Sequence, residues 1–157
     1  MKDTDFGKIF ESFGQPIYRL CVARTGDTEL SHDITQQVFL LLYKKQPNFP
    51  DRSALRVWLI RTALKLIANE RRRAEKVRTE PLDEKNGGTS LQTAEFELYD
   101  LCRSLGDTLS DVTVLYYVED MTVEEIARAL SISKSAVKSR LHRARKSLSK
   151  IYKEEIL

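Results

Sequence analysis

Apolar residues recur three and four positions apart along most of this chain, which is the spacing of an α-helix with one buried face. Glycine and proline are scarce, and the strict alternation typical of a β-strand is absent. The chain is therefore predicted to be all-α. The predicted helices cover approximately residues 4–24, 29–45, 53–76, 91–105 and 109–118, and two more follow within residues 121–148. The first helix is predicted to carry one broad apolar face, formed by Phe6, Ile9, Phe10, Phe13, Ile17, Leu20 and Cys21.

Two segments interrupt the helical pattern. Residues 46–51, "QPNFPD", contain two prolines and cannot continue a helix. Residues 78–90, "RTEPLDEKNGGTS", combine a proline, two glycines and several charges, which is typical of a flexible linker. We expect two small helical domains, at residues 1–77 and 91–157, joined by that linker.

The last third of the chain has the pattern of a helix-turn-helix. Thr122 is followed three residues later by Glu125, which is the signature of a capping box and predicts a helix running to about Leu130. The hydroxyl-rich "SISKS" that follows suits a turn and a new N-cap. A second helix is predicted from Lys134, with an apolar stripe formed by Val137, Leu141, Ala144 and Leu148. This second helix is suited to a DNA major groove.

Charge is distributed unevenly along the chain. The net charge is only +3, but residues 52–78 carry +7, residues 79–125 carry −10 and residues 126–153 carry +9. Two basic blocks separated by an acidic one suggest two contacts with an anionic partner. The alternative is that each basic run is an ordinary solvated helix face, although the cap and the turn favour DNA binding for the second block.

The first basic block lies on the third predicted helix. Its polar stripe has spacings of four, four, three and four, and is formed by Arg61, Lys65, Asn69, Arg72 and Lys76. The opposite side carries Leu55, Leu59, Thr62 and Leu66. Such a helix can track a phosphate backbone. Trp58, near its start, is interpreted as core, with stacking on unpaired bases as the alternative.

Residues typical of catalysis are missing from the sequence. The two histidines, His32 and His142, have no carboxylate partners at metal-ligand spacing, and there is no phosphate-binding glycine loop. We expect no enzyme activity, metal, cofactor or small-molecule substrate. Cys21 and Cys102 lie far apart in apolar surroundings, so two buried free thiols are expected, with a redox pair as the alternative. No signal peptide or long apolar run is present, which predicts a cytoplasmic protein.

Three segments resemble bacterial sigma factors of the extracytoplasmic-function class (group IV of the sigma-70 family). "HDITQQVFLLLYKK" (32–45) is similar to region 2.2 of that family. "VWLIRTALKLIANERRR" (57–73) is similar to regions 2.3 and 2.4. "LYYVEDMTVEEIARALSISKSAVKSRLHRARKSL" (115–148) is similar to region 4.2. The resemblance covers nearly the whole chain.

The resemblance implies a promoter-specificity subunit of RNA polymerase, with a region 2 domain that binds core polymerase and the −10 element, and a region 4 domain that reads the −35 element. It implies polymerase contacts at Asp33, Gln36 and Gln37. It implies −10 contacts at Arg61, Lys65, Asn69, Arg72 and Arg73, with Asn48 and Phe49 in the preceding loop. It implies −35 base contacts at Lys138, Ser139, His142 and Arg143, with phosphate contacts at Lys134, Ser135, Arg145 and Lys146.

Several points stay open at the level of sequence. His142 is either a base contact or an exposed spacer. The family usually has Asn and Asp where this chain has Lys65 and Asn69, so the −10 preference is undetermined. The resemblance also suggests an anti-sigma factor as a partner, which would hold the protein at the membrane. The alternative function is a helix-turn-helix transcriptional regulator without sigma activity.

Overall fold

The computed structural model describes residues 3–77 and 94–156, with side chains described for residues 5–77 and 97–151. The helices are α1 (Asp3–Thr25), α2 (Thr28–Lys45), α3 (Arg52–Val77), α4 (Ala94–Ser104), α5 (Asp107–Thr113), α6 (Val123–Leu130) and α7 (Lys134–Ile156), and a π-helical turn at Val114–Val118 continues α5. The described residues contain no strand, and the all-α prediction is confirmed. The predicted linker at 78–90 lies outside the described residues.

The chain divides into two compact units, Met1–Ser90 and Leu91–Leu157. In the first unit, α1, α2 and α3 pack against one another in all three pairs. Each helix contributes apolar side chains that are almost completely buried, and the largest of these are Leu20, Ile34, Leu42, Leu59 and Ile67. Burial of these side chains is the main force that stabilises the three-helix arrangement.

Acidic side chains set where α2 and α3 begin. Asp27 caps α2, since its Oδ1 accepts a hydrogen bond from the Leu30 amide at 3.0 Å. Asp51 caps α3 in the same way, accepting from the Ala54 amide at 2.8 Å. The turns before them use left-handed residues, with φ of 67° at Gly26 and 42° at Gln46.

The apolar face predicted for α1 is only partly buried. Phe13, Ile17 and Leu20 are core residues, but Phe10 is 46% exposed. Phe10 packs one edge against Phe39, with the ring centroids 5.0 Å apart, and its other side faces solvent.

In the second unit, α7 packs against both α5 and α6, and α4 packs against α5. The core is formed by Val112, Leu115, Met121, Ile126 and Val137, all nearly or completely buried. The helix predicted at 109–118 starts earlier, at Asp107, and changes form at its end. There the Glu119 amide donates to the Val114 carbonyl five residues back, at 3.0 Å, which widens the last turn.

Both cysteines are free and buried, as predicted. Burial raises the pKa of the Cys21 thiol to about 12, although the Thr35 hydroxyl and Arg24 act in the opposite direction. Burial also raises the pKa of Cys102. Neither thiol is a reactive thiolate near neutral pH, since nucleophilicity requires the deprotonated form.

Candidate nucleic-acid interface

Both helices of the helix-turn-helix begin at hydrogen-bonded side-chain caps. α6 begins at a complete capping box, in which Thr122 Oγ1 accepts from the Glu125 amide at 3.1 Å and Glu125 Oε1 accepts from the Thr122 amide at 3.1 Å. α6 ends at Ser131, whose φ is 56°. Ser133 caps α7, its Oγ accepting from the Ala136 amide at 3.0 Å. These caps fix the direction in which α7 leaves the turn.

The buried side of α7 determines which residues face solvent. Val137, Leu141 and Ala144 are buried against α5 and α6, whereas Leu148 is only half-buried. All eight residues proposed from the sequence for −35 contacts are exposed: Lys134, Ser135, Lys138, Ser139, His142, Arg143, Arg145 and Lys146. The structure therefore brings them together on the outer face of one helix, and five of them are permanently cationic.

One of these cations is paired with an acid from the neighbouring helix. Lys134 Nζ lies 3.7 Å from Glu124 Oε1 on α6, and both side chains are more than half exposed. The backbone amide of Glu124 and then the Lys134 ammonium lower the pKa of the Glu124 carboxyl, so it is ionised at neutral pH. Glu124 had no predicted role, although its position in the first turn of α6 is visible in the capping-box pattern.

A second cation of α7 is held by the π-helical turn. Arg145 Nη1 donates a hydrogen bond to the Tyr117 hydroxyl at 2.9 Å. The two residues are 28 positions apart in the sequence. The Tyr117 ring packs edge-on against Tyr116, with centroids 4.9 Å apart, and Tyr117 is 53% exposed. Tyr117 was not among the residues predicted from the sequence, where its only signal is a pair of adjacent tyrosines at a helix end.

The polar stripe of α3 is a continuous exposed surface. Arg61, Lys65, Asn69, Arg72 and Arg73 are all exposed, as is Lys76. Within the stripe, Arg72 Nη2 donates to Asn69 Oδ1 at 2.7 Å. The buried side is centred on Leu59, Ile60, Ala63 and Ile67, so Thr62 and Leu66, which the sequence placed opposite the stripe, are only half-buried. The stripe predicted from the sequence therefore consists of four cationic residues and one asparagine, and Arg73 adds a fifth exposed cation.

Phe49, in the loop before α3, forms an aromatic pair with Trp58 near the start of α3. Asn48 is exposed, while Phe49 and Trp58 are half-buried. Their rings meet edge to face, with centroids 6.1 Å apart and an interplanar angle of 67°. Trp58 is thus neither a fully buried core residue nor a free stacking platform, because one side of its ring supports the loop.

The exposed face of α2 carries the residues that the sequence assigned to polymerase binding. Asp33, Gln36 and Gln37 are exposed, and Leu40, one turn beyond them, is 51% exposed. Phe39, on the same helix, is buried. An exposed leucine beside two amides and a carboxylate makes a mixed surface that is suited to protein contact.

Two other kinds of feature, a metal cluster and a membrane-spanning helix, are not found among the described residues. Within residues 3–77 and 94–156, no three His, Cys, Asp or Glu side chains cluster in a way that could hold a metal ion. No helix in the same ranges is both long and apolar enough to cross a membrane.

A capped helix-turn-helix with a cationic outer face defines a DNA-binding protein, and comparison with known proteins narrows that class. The family model for Sigma-70 region 2 matches residues 9–77, and the model for Sigma-70 region 4 matches residues 96–148. The chain therefore belongs to the sigma-70 family, and several of its relatives are named ECF RNA polymerase sigma factors.

Two of those relatives are from Bacillus subtilis (strain 168). The ECF RNA polymerase sigma factor SigW is 27% identical over an alignment of 164 positions, which covers 92% of this chain and 87% of SigW. The ECF RNA polymerase sigma factor SigM is 24% identical over 155 residues, which cover 92% of this chain and 93% of SigM. Among solved structures, the sigma factor RpoE from Bartonella quintana, in complex with the anti-sigma factor NepR, shares the fold, with a TM-score of 0.75 at 18% identity over 95% of this chain and 97% of RpoE.

Proposed function

We propose that this chain is a promoter-specificity subunit, which binds core RNA polymerase and directs it to promoter DNA to initiate transcription. The observation that carries the proposal is the outer face of α7, where eight exposed polar and cationic side chains are presented by a capped helix-turn-helix. Such a face matches the width and the negative potential of a DNA major groove. In this role the protein performs no catalysis of its own.

The two units have separate roles in this proposal. On α7, Lys138, Ser139, His142 and Arg143 read base edges of the −35 element, while Lys134, Ser135, Arg145 and Lys146 contact phosphates. On α3, the exposed stripe from Arg61 to Arg73 contacts DNA near −10, together with Asn48 and Phe49 in the preceding loop. Cations contribute affinity through release of counterions from phosphates, whereas base-edge contacts contribute sequence preference.

Core polymerase binds the exposed face of α2. Asp33, Gln36 and Gln37 lie on this face and offer hydrogen bonds, and Leu40 adds apolar area at its edge. The residues are ordered by a well-packed helix, since Ile34, Val38 and Leu42 are buried beneath them. Placing a binding surface on a rigid helix reduces the entropy lost on association.

An anti-sigma factor is a further proposed partner. The solved relative RpoE was determined in complex with the anti-sigma factor NepR. A partner of this kind would compete with polymerase and DNA for the surfaces described above, and would set where in the cell the inactive protein is held. In its active form we place the protein with polymerase in the cytoplasm.

A transcriptional regulator without sigma activity does not account for the first unit. Such a regulator needs a DNA-binding unit and a sensor or oligomerisation unit, whereas residues 9–77 match Sigma-70 region 2. In a regulator of this kind, the exposed polar face of α2 and the cationic stripe of α3 would have no role. Sigma activity gives both surfaces a function.

The test is reconstitution with bacterial core RNA polymerase. Native gels should show a stable complex, and selection from a randomised DNA duplex library should recover two conserved elements that support run-off transcription. The triple variant Asp33→Ala, Gln36→Ala, Gln37→Ala should lose the complex. Glu29→Ala, which alters another exposed residue of α2, is the matched control and should retain it. Failure of the wild-type chain to bind core polymerase would contradict the proposal.

A further inference from the structure

The hydrogen bond between Arg145 and Tyr117 leaves unused donors on both partners. Arg145 uses Nη1 to donate to the Tyr117 hydroxyl oxygen. A guanidinium has five N–H donors, so others remain for a ligand. The hydroxyl accepts this bond through its oxygen and keeps its own proton, which is free to be donated elsewhere. Tyr117 is 53% exposed and Arg145 is exposed, so both donors are accessible.

We infer that Tyr117 and Arg145 together form a two-donor site for one phosphate of the DNA backbone. An oxygen of the phosphate would accept from the Tyr117 O–H, and another would accept from the Arg145 guanidinium. The site combines a charged donor on α7 with a neutral donor on the π-helical turn, and therefore fixes the position of α7 along the backbone. This inference rests on the proposed DNA contact of α7 and adds to it a residue outside the helix-turn-helix.

The position of Arg145 on α7 supports a backbone contact. Lys134 and Arg145 are eleven residues apart, which is close to three full turns, so they lie on one edge of the helix and roughly 16 Å apart. This edge faces the elements that precede α7, since Glu124 on α6 reaches Lys134 and Tyr117 reaches Arg145. A helix lying in a groove presents its edges to the flanking phosphates and its centre to the bases.

The π-helical turn explains why a tyrosine from outside the motif reaches this edge. Val114 and Leu115 at the start of the turn are completely buried, while Tyr116 and Tyr117 are exposed. Tyr116 packs edge-on against Tyr117 and limits the directions in which the Tyr117 ring can lie. The hydroxyl is thereby held in place before any ligand binds, which lowers the entropic cost of the contact.

The experiment uses holoenzyme reconstituted from the full chain and core polymerase, with a duplex obtained by the selection described above. Single phosphates in the upstream element are replaced by uncharged methylphosphonates, and the dissociation constant is measured for each duplex. For the wild-type chain, one replacement should weaken binding about tenfold. Tyr117→Phe and Arg145→Ala should each weaken binding to the unmodified duplex and reduce the penalty at that same phosphate.

Salt dependence separates the two donors. Arg145→Ala should lower the slope of log affinity against log salt by roughly one, because one cation is removed. Tyr117→Phe should leave the slope unchanged, because a phenol is neutral. Tyr116→Phe, which removes the neighbouring hydroxyl and keeps its ring, is the matched control and should bind like the wild type.

The double variant tests whether Tyr117 itself touches the phosphate. If Tyr117→Phe still weakens binding when Arg145 is already alanine, the hydroxyl makes its own contact, as we infer. If its effect disappears in that background, or if no phosphate responds to either substitution, the two-donor site is wrong. In those cases the wild-type holoenzyme still binds its selected duplex, so the result is distinguishable from failure of the proposed sigma function.

Discussion

Lys134, the first residue of α7, forms an ion pair with Glu124 near the start of α6, with 3.7 Å between Nζ and Oε1. The pair spans the turn of the helix-turn-helix and places a carboxylate where the proposed interface requires a phosphate. An exposed pair of this kind contributes little to folding stability, since solvent screens both charges. Its larger effect is on binding, because Lys134 has an intramolecular competitor for any anion.

Neutralising Glu124 should therefore strengthen DNA binding. For Glu124→Gln we expect an affinity increase by a factor of about two to five, since Lys134 is released and one repulsive charge is lost. The increase should disappear at high salt. Holoenzyme binding to a selected promoter duplex over a range of salt concentrations measures both effects. Glu97→Gln, which changes net charge equally at an exposed site on α4, is the control. An equal gain from both variants would assign the effect to net charge alone.

Lys138 and Lys146 should differ in the kind of binding energy they contribute. Lys138→Ala should cost about 1–3 kcal/mol on the preferred duplex and relax the preference at one base pair of the −35 element. Lys146→Ala should weaken all sequences alike and lower the salt slope by roughly one. A panel of −35 variants, each measured at several salt concentrations, distinguishes these outcomes. If Lys138→Ala weakens every duplex by the same factor, α7 is a general cationic surface.

Lys65, in the middle of the α3 stripe, should act after polymerase has bound. Lys65→Ala should reduce formation of the open complex while leaving the association with core polymerase intact, because the side chain is exposed on the proposed DNA face of α3 and not on α2. Permanganate reactivity of the −10 thymines measures strand opening. Lys8→Ala, at an exposed site on α1, should leave reactivity unchanged. Normal permanganate reactivity in the Lys65 variant would remove this residue from the −10 surface.

The capping box of α6 should be measurable as folding stability. Thr122→Ala removes the acceptor of the Glu125 amide and should lower the free energy of unfolding of the second unit by about 0.5–2 kcal/mol. Thr122→Ser keeps the hydroxyl and should retain most of that stability. Urea unfolding followed by circular dichroism provides the comparison, with Thr108→Ala on α5 as a control at another exposed threonine. Equal stability of the Ala and Ser variants would show that the cap contributes nothing.

The cysteines should be unreactive in the folded chain. With its pKa at about 12, the Cys21 thiol has about a thousandfold less thiolate at pH 8 than an ordinary cysteine, and its burial also blocks access. Ellman's reagent should modify neither cysteine under native conditions and both in denaturant. Because unfolding lets Cys21 ionise above about pH 8.5, this group lowers the stability of the fold as the pH rises beyond that value. Rapid native modification at pH 8 would restore a redox pair as a possibility.

The helices were predictable because their causes are local. Apolar spacing predicted the buried stripes, while Asp27, Asp51 and the pair of Thr122 and Glu125 mark where helices begin. The outer face of α7 followed from the same pattern, since placing Val137, Leu141 and Ala144 against the core leaves the cationic residues outside. Their exposure was therefore implied by the sequence, whereas their contacts with DNA remain proposals.

Features that depend on packing between elements were not predictable. The π-helical turn forms at one helix end, where Val114 and Leu115 must both reach the core, and no periodic signal in the sequence marks it. The Tyr117–Arg145 bond joins residues far apart in the chain, so it has no sequence spacing to recognise. Phe10 is an error of the opposite kind. The apolar spacing predicted a buried side chain, but Phe10 is partly exposed because no neighbouring helix fully covers it.

The widened turn at Val114–Val118 makes the second unit tolerant of a change in chain length at that point. A π-helical turn corresponds to an α-helix that has gained one residue, so loss of a single residue there leaves a regular helix that can still fold. The segments on either side of the turn would keep nearly the same rotational register, because the extra residue is absorbed within the turn. A deletion in the regular part of α5 would instead rotate the residues that follow it by about 100° relative to those before it. Of the two deletions, the one within Val114–Val118 therefore disturbs the packing of α5 against α7 less.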